Sequence, residues 1–249
     1  MKKTLIRDEE TLDDLIIGGL KLIQPRKGYR FSIDPVLLAH FAGLNKVKRA
    51  IDLGCGNGII IHLLAALSPE LEITGIEIQE QMVERAQRSI AYNGLESRVQ
   101  IINRDIRDIE KYLSPGSFDL VISNPPFWSP GQGRISSNPE EAIARHELTL
   151  SLEELIKAAA FLLAPGKSFC IIHRAERLIE IINLCKKYKL LPSRLRAVYS
   201  FPGQEAKMVL LEAQKRKQGP FKLLSPLIIY KQPGEYSEEV MSYYYGQGR

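Results

Sequence analysis

Residues 51–58 read Ile-Asp-Leu-Gly-Cys-Gly-Asn-Gly. Three alternate glycines let the chain turn sharply and pass close to a ligand, because none carries a Cβ. The apolar run 50–53 before them reads as a short buried strand, and residues 59–67 after them read as a helix. Strand, glycine loop and helix in that order open a parallel α/β unit. The dinucleotide spacing G-x-G-x-x-G fails here, since Ile59 and Ile61 stand where the third glycine would be needed. Asp52 precedes the loop, where a carboxylate would repel a pyrophosphate but could pair with a cationic amine. A turn of purely structural purpose would not need that acid.

Outward from this loop the pattern alternates. Residues 72–77, 99–103, 118–123 and 168–173 read as strands, and 81–93, 152–163 and 175–189 as helices. Short apolar strands between amphipathic helices predict parallel pairing with right-handed crossovers. Residues 194–201 and 207–213, joined by Pro-Gly-Gln, read as an antiparallel pair. The expected fold is a doubly wound, mostly parallel, seven-stranded α/β sheet closed by that pair. Residues 12–24 read as a hairpin turning at Gly18-Gly19, and Asp34-Pro35 opens a helix through residues 36–42. Residues 1–45 are therefore expected to form an N-terminal appendage, and residues 46–249 a single catalytic domain.

Composition narrows the class. With 249 residues, 45% hydrophobic and 25% charged, the chain is neither collagen-like, disordered nor a disulfide scaffold. Cys55, Cys170 and Cys185 are far apart, with no C-x-x-C pair and no zinc-ligand spacing, so free thiols and no metal are expected. The N-terminus lacks an apolar signal core, and the apolar stretch 59–67, broken by His62, is far short of the ~20 residues of a membrane span. A cytoplasmic protein without membrane association is expected.

Charge is uneven. Residues 1–125 carry 16 basic and 17 acidic side chains, and residues 126–249 carry 18 and 12. Ten basic residues fall within 186–222, among them Lys215, Arg216 and Lys217, against only Glu205 and Glu212. Such a run is either a solvated face or a footprint for a phosphate backbone.

Asp52 followed by Gly54, Gly56 and Gly58 resembles the first motif of the class I S-adenosylmethionine-dependent methyltransferases, whose fold is the Rossmann-like sheet expected above. The resemblance implies that this loop wraps the methionine moiety of S-adenosyl-L-methionine. Glu77, at the end of the second strand, is placed to accept both ribose hydroxyls. By the same resemblance Asp105 accepts from the adenine amine, and Ile106 packs on the ring.

Ser123-Asn124-Pro125-Pro126-Phe127-Trp128 follows the fourth strand. An exocyclic amine on a base is a poor nucleophile because its lone pair is delocalised into the ring. Accepting hydrogen bonds from both its N–H groups, at the Asn124 side-chain oxygen and the Pro125 carbonyl, draws the nitrogen toward tetrahedral geometry. Pro125 and Pro126 fix φ and hold the acceptors in place. Phe127, and with it Trp128, offers a face for an unstacked base. Asn-Pro-Pro-aromatic is the signature of amino-group methyltransferases acting on adenine N6, guanine N2 or glutamine amides.

Residues 28–39, the glycine loop, Asn124–Trp128, a Gly-Gln-Gly stretch at 131–133 and Ala144-Arg145-His146-Glu147 together resemble the bacterial tRNA(Val) adenine-N6 methyltransferase family over roughly residues 12–213. The resemblance implies an RNA substrate, tRNA first, gripped by the basic segment, with Arg145 either opening an exposed helix or touching phosphate. The remaining substrates are rRNA guanine N2, a release-factor glutamine and DNA adenine. The non-enzyme alternative is an RNA-binding protein on a methyltransferase scaffold, against which intact Asp52, Glu77, Asp105 and Asn124 argue. The sequence sets no oligomeric state.

Overall fold

In the computed structural model, residues 5–27, 32–127, 150–216 and 219–245 are described. Glu10–Asp14 (β1) and Lys21–Pro25 (β2) pair antiparallel, as the hairpin reading expects. Gly18 and Gly19 both turn with φ near +65°. Asp34–Phe41 (α1) follows, with Pro35 in its first turn. Asp34 is already helical and makes no side-chain cap, so the predicted start is one residue late.

Arg49–Leu53 (β3), Ile59–Leu67 (α2), Glu72–Glu77 (β4), Glu80–Asn93 (α3), Val99–Asn103 (β5) and Phe118–Ser123 (β6) alternate as the sequence pattern requires. Then come Leu152–Leu162 (α4), Leu163–Arg174 (β7), Leu178–Lys187 (α5), Leu190–Tyr199 (β8) and Ala206–Lys215 (β9). The helix expected from residue 175 begins instead as a 3-10 turn over Ala175–Arg177.

With Lys222–Leu223 as β10 and Leu227–Ile228 as β11, the sheet order is β10-β8-β9-β7-β6-β3-β4-β5, with β11 also on β8. β3 to β7 run parallel, and β9 is antiparallel to both β7 and β8. The seven expected strands are thus joined by β10 and β11, two short pieces parallel to β8. They occupy backbone groups that an edge strand would otherwise leave open.

Both faces of the sheet are covered, so strand residues alternate between two apolar layers rather than between core and water. Ile172 and Leu210 join Val36, Leu37, Leu64 and Leu120 on one side. Their neighbours Ile171 and Leu211 join Leu53, Leu155, Ile156 and Phe169 on the other.

The sequence pattern predicts no element beyond residue 213. The structure adds the small pair Tyr230–Gln232 (β12) and Glu235–Tyr236 (β13), then Glu238–Tyr245 (α6). Arg196 of β8 grips Glu239 with contacts of 2.5 and 2.7 Å, and the Tyr243 ring stacks on His40 of α1 at 4.3 Å. Among the described residues no helix is long and apolar enough to cross a membrane.

Gly75 in β4 shows how tightly the layers meet. A Cβ there would stand 2.5 Å from Ile61 Cδ1, 2.7 Å from Cys55 Sγ and 2.7 Å from Ile101 Cδ1. Gly75→Ala should therefore destabilise the protein by about 1–3 kcal/mol, the range of an overpacked core. Urea unfolding measures this, and an unchanged midpoint would show that the layers relax freely around the added methyl.

Candidate active site

Parallel pairing brings the carboxyl ends of β3, β4 and β6 to one edge of the sheet. Gly54, Gly56 and Gly58 all take positive φ (76°, 54° and 84°), which explains the alternate glycines. The loop hangs from the end of β4. Gly54 and Cys55 N–H donate to Ile76 O at 2.9 and 3.0 Å, and Gly56 N–H donates to Glu77 Oε2 at 2.9 Å. The other Glu77 oxygen accepts from Gln79 N–H at 2.9 Å. One buried carboxylate thus ties together two strand-end turns. Asn103, ending β5, donates from Nδ2 to the carbonyls of Glu77 and Ile78 at 2.9 and 3.1 Å. Ser123 Oγ donates to Leu53 O at 2.7 Å and clamps β6 to β3 just before both loops depart.

Behind the loop, Arg85 of α3 donates from Nη1 to Asn57 Oδ1 at 2.8 Å, and its Nε lies 3.4 Å from Glu10 Oε1 of the hairpin. Arg88 adds two contacts of 2.5 Å to the same carboxylate. Burial raises the Glu10 carboxyl, but the bonds from Arg88 and the Arg7 N–H, with the charges of Arg88 and Arg85, hold it below the usual range. Buried ionic bonds therefore join the N-terminal hairpin to the glycine loop.

Two residues of the site keep polar atoms without partners among the described residues. Asp52 is 0% exposed, and among the described residues neither of its oxygens has a hydrogen-bond partner. Burial first, then the Glu77 charge, pushes its pKa well above the ordinary 3.8. Asn124 Oδ1 is likewise buried and unpartnered. Asn124 lines a cavity with Gly54, Gly56, Pro35, Leu22 and Gln24, so hairpin and α1 form its far wall. Nothing lies within 4 Å of where a Gly54 Cβ would stand. A buried orphan carboxylate beside an open glycine loop fits a cationic ligand, and an orphan amide oxygen fits an N–H or O–H donor.

The family model described as "Methyltransferase domain" matches residues 44–217. The chain belongs to that methyltransferase family. It is an S-adenosylmethionine-dependent enzyme. The methyltransferase is 33% identical over 220 residues to a protein of Porphyromonas gingivalis named tRNA1(Val) (adenine(37)-N6)-methyltransferase, covering 84% of this chain and 85% of that one. Among solved structures it resembles a predicted O-methyltransferase from Agrobacterium tumefaciens, with TM-score 0.69, 23% identity and coverage of 86% of this chain and 96% of that chain. It also resembles geranyl diphosphate C-methyltransferase from Streptomyces coelicolor A3(2), solved with S-adenosyl-L-homocysteine, with TM-score 0.50, 11% identity and coverage of 68% and 72%.

Of the other residues read from the sequence, Asp105 stands after β5, but its carboxylate is already held by Arg107. That side chain's Nε lies 3.1 and 2.9 Å from the two oxygens, and its N–H donates at 2.9 Å. The Arg107 bonds hold the Asp105 carboxyl below its usual range. Ile106 is packed into the apolar layer with Ile109 and Leu155. Pro125 is buried, while Pro126 and Phe127 are half-buried. Trp128, Arg145, Lys217 and the stretch 131–133 lie outside the described residues.

The basic run is not one free face. Lys215 Nζ donates to Leu163 O at 2.6 Å, and burial, with Arg216 adding to it, lowers its pKa. Leu163 opens β7, so Lys215 and the following Arg216 stand at the opposite end of the sheet from Asn124. Arg194 lies over the Phe41 ring at 4.4 Å and bonds Glu212 at 2.5 Å, and Lys187 bonds Glu153 at 2.5 Å. The sequence reading missed two residues of the site edge. Ile78, directly after Glu77, is 41% exposed, an apolar surface beside an acid. His173, buried near the end of β7, meets the Phe127 ring at 5.6 Å.

Replacing Asp52 by Asn keeps the shape and removes the charge. Because the folded-state pKa is raised, the penalty of the buried charge is absent below pH 3.8 and grows as pH rises through the folded value. In ligand-free protein, Asp52→Asn should gain stability over wild type progressively from pH 4 to pH 7 by urea unfolding. Its S-adenosylhomocysteine affinity should fall by about tenfold or more, as expected when a charged partner is lost. A stability gap that does not change with pH would mean that Asp52 is already satisfied.

Proposed function

We propose that this methyltransferase places a methyl group on an exocyclic amine, adenine N6 of a tRNA anticodon-loop nucleotide. The observation that carries the reading is the buried Asn124 Oδ1, without a hydrogen-bond partner among the described residues, at the head of Asn-Pro-Pro-Phe and in one cavity with Gly54 and Gly56. An acceptor stripped of water and left without a donor is matched by an amine N–H, and the Pro125 carbonyl is the second acceptor. The printed name of the Porphyromonas gingivalis relative, at 33% identity, supports adenine N6 and tRNA.

S-Adenosylmethionine supplies an electrophilic methyl group on a sulfonium that leaves as a neutral thioether. The protein therefore needs no strong base at the amine. Asn124 and Pro125 orient the nitrogen, Pro126 stiffens the loop, and Phe127 carries the base face. Asp52 answers the cofactor's positive charge, with Gly54, Gly56 and Gly58 giving its chain room. Glu77, at the end of β4, takes the ribose hydroxyls, and Ile78 gives the adenine an apolar contact. Asp105 reaches the adenine amine only when Arg107 turns away, since Arg107 now fills its oxygens. RNA phosphate contacts fall to Lys207, exposed at the start of β9 on the reacting edge, rather than to Lys215. A tRNA substrate places the enzyme in the cytoplasm.

Methyl transfer from labelled cofactor to bulk tRNA, rRNA and protein, followed by nucleoside and amino-acid analysis, tests the reading. N6-methyladenosine in tRNA is expected, and N2-methylguanosine in rRNA or methylglutamine would replace the substrate. Asn124→Ala should cut turnover by on the order of 10²-fold, the scale of one lost oriented group, while S-adenosylhomocysteine affinity stays within a factor of two. Equal loss of cofactor binding would remove Asn124 from the amine.

A further inference from the structure

His173 is the next-to-last residue of β7 and is fully buried. Its Nδ1 accepts the Arg174 N–H at 2.9 Å, which puts the ring proton on Nε2. That Nε2–H has no hydrogen-bond partner among the described residues. Burial first, then the Arg177 charge, lowers the pKa to about 3, so the ring is a neutral imidazole with one tautomer fixed by the backbone. An aliphatic side chain would fill a buried strand position without stranding a donor. What the imidazole has instead is a neighbour. Its ring meets Phe127 edge to face, with centroids 5.6 Å apart and planes at 68°.

Phe127 follows two prolines whose φ is fixed, so most of the remaining freedom near the reacting loop lies in the Phe127 side-chain torsions. An edge-to-face contact has a preferred plane angle and so restricts those torsions, as plain apolar packing would not. We infer that His173 is a positioning residue that fixes the plane of Phe127, and through it the plane in which the target base is held. The inference rests on the reading of Phe127 as the stacking surface. No proton moves and no bond is made by His173. It acts through ring orientation alone.

The test is a double-mutant cycle on the full chain, with bulk bacterial tRNA as acceptor and S-adenosylhomocysteine as binding probe. His173→Ala should lower kcat/KM for tRNA by about tenfold, the scale of one edge-to-face pair, and leave S-adenosylhomocysteine affinity unchanged. His173→Phe keeps an aromatic edge and should recover most of the loss. In a Phe127→Ala background, His173→Ala should cost nothing further. A site-specific fluorophenylalanine at position 127 gives a readout independent of substrate. Its single ¹⁹F line should broaden or split in His173→Ala and stay single in His173→Phe.

Additive losses in the cycle, or a His173→Phe enzyme as impaired as His173→Ala, would overturn the positioning role. So would an unmoved ¹⁹F line in His173→Ala. Phe127→Ala with full kcat/KM would instead overturn the stacking reading. The ¹⁹F line then separates the two failures.

Discussion

A carboxyl group sealed from water with no hydrogen-bond donor is among the least favourable groups a protein can bury, and Asp52 has none among the described residues. The site is arranged around that constraint. Asp52 cannot relax toward solvent, because Ser123 clamps the adjoining strand at Leu53 and the glycine loop is hitched to Ile76 and Glu77. Nor can the loop swing, because Asn57 is held by Arg85, which also faces Glu10 of the hairpin. The scaffold thus keeps a carboxyl group unsatisfied and fixes the geometry in which a cationic ligand would favour its charged form. This is preorganisation in the ordinary electrostatic sense.

The basic half of the chain has a different logic. A run of cations invites reading as one nucleic-acid surface, yet strands β8 and β9 distribute those side chains over both faces and both ends of the sheet. Arg194 and Arg196 fasten Phe41, Glu212 and Glu239, and Lys215 caps a carbonyl at the far end of β7. Much of the positive charge near the C-terminus therefore holds the protein together. Lys207, exposed at the start of β9, stands at the reacting edge.

How much was legible follows from how local each feature is. The glycine loop, Glu77 and Asn124 could be placed because strand–loop–helix order puts them at strand ends whatever the packing. The hairpin and the antiparallel pair were legible for the same reason, through Gly18-Gly19 and Pro-Gly-Gln. Contacts between distant segments could not be seen. His173 meeting Phe127 and Arg85 spanning Asn57 and Glu10 depend on strand register and packing, while Arg107 occupying Asp105, only two residues away, depends on a rotamer. The helix α6 escaped because it is only eight residues long and its apolar side is largely tyrosine. Its hold comes from the Arg196–Glu239 pair, the Tyr243–His40 stack and buried Val240, with Tyr243 and Tyr244 packed on the core.

That last helix ties two distant parts of the chain. It packs on α1, which holds Pro35 against the cavity of the glycine loop. In the order of synthesis α1 precedes every strand of the central sheet, and α6 follows them all. The wall of the cavity is therefore made before the sheet and fastened after it. A nascent chain can close its central sheet before the clasp on that wall has been made.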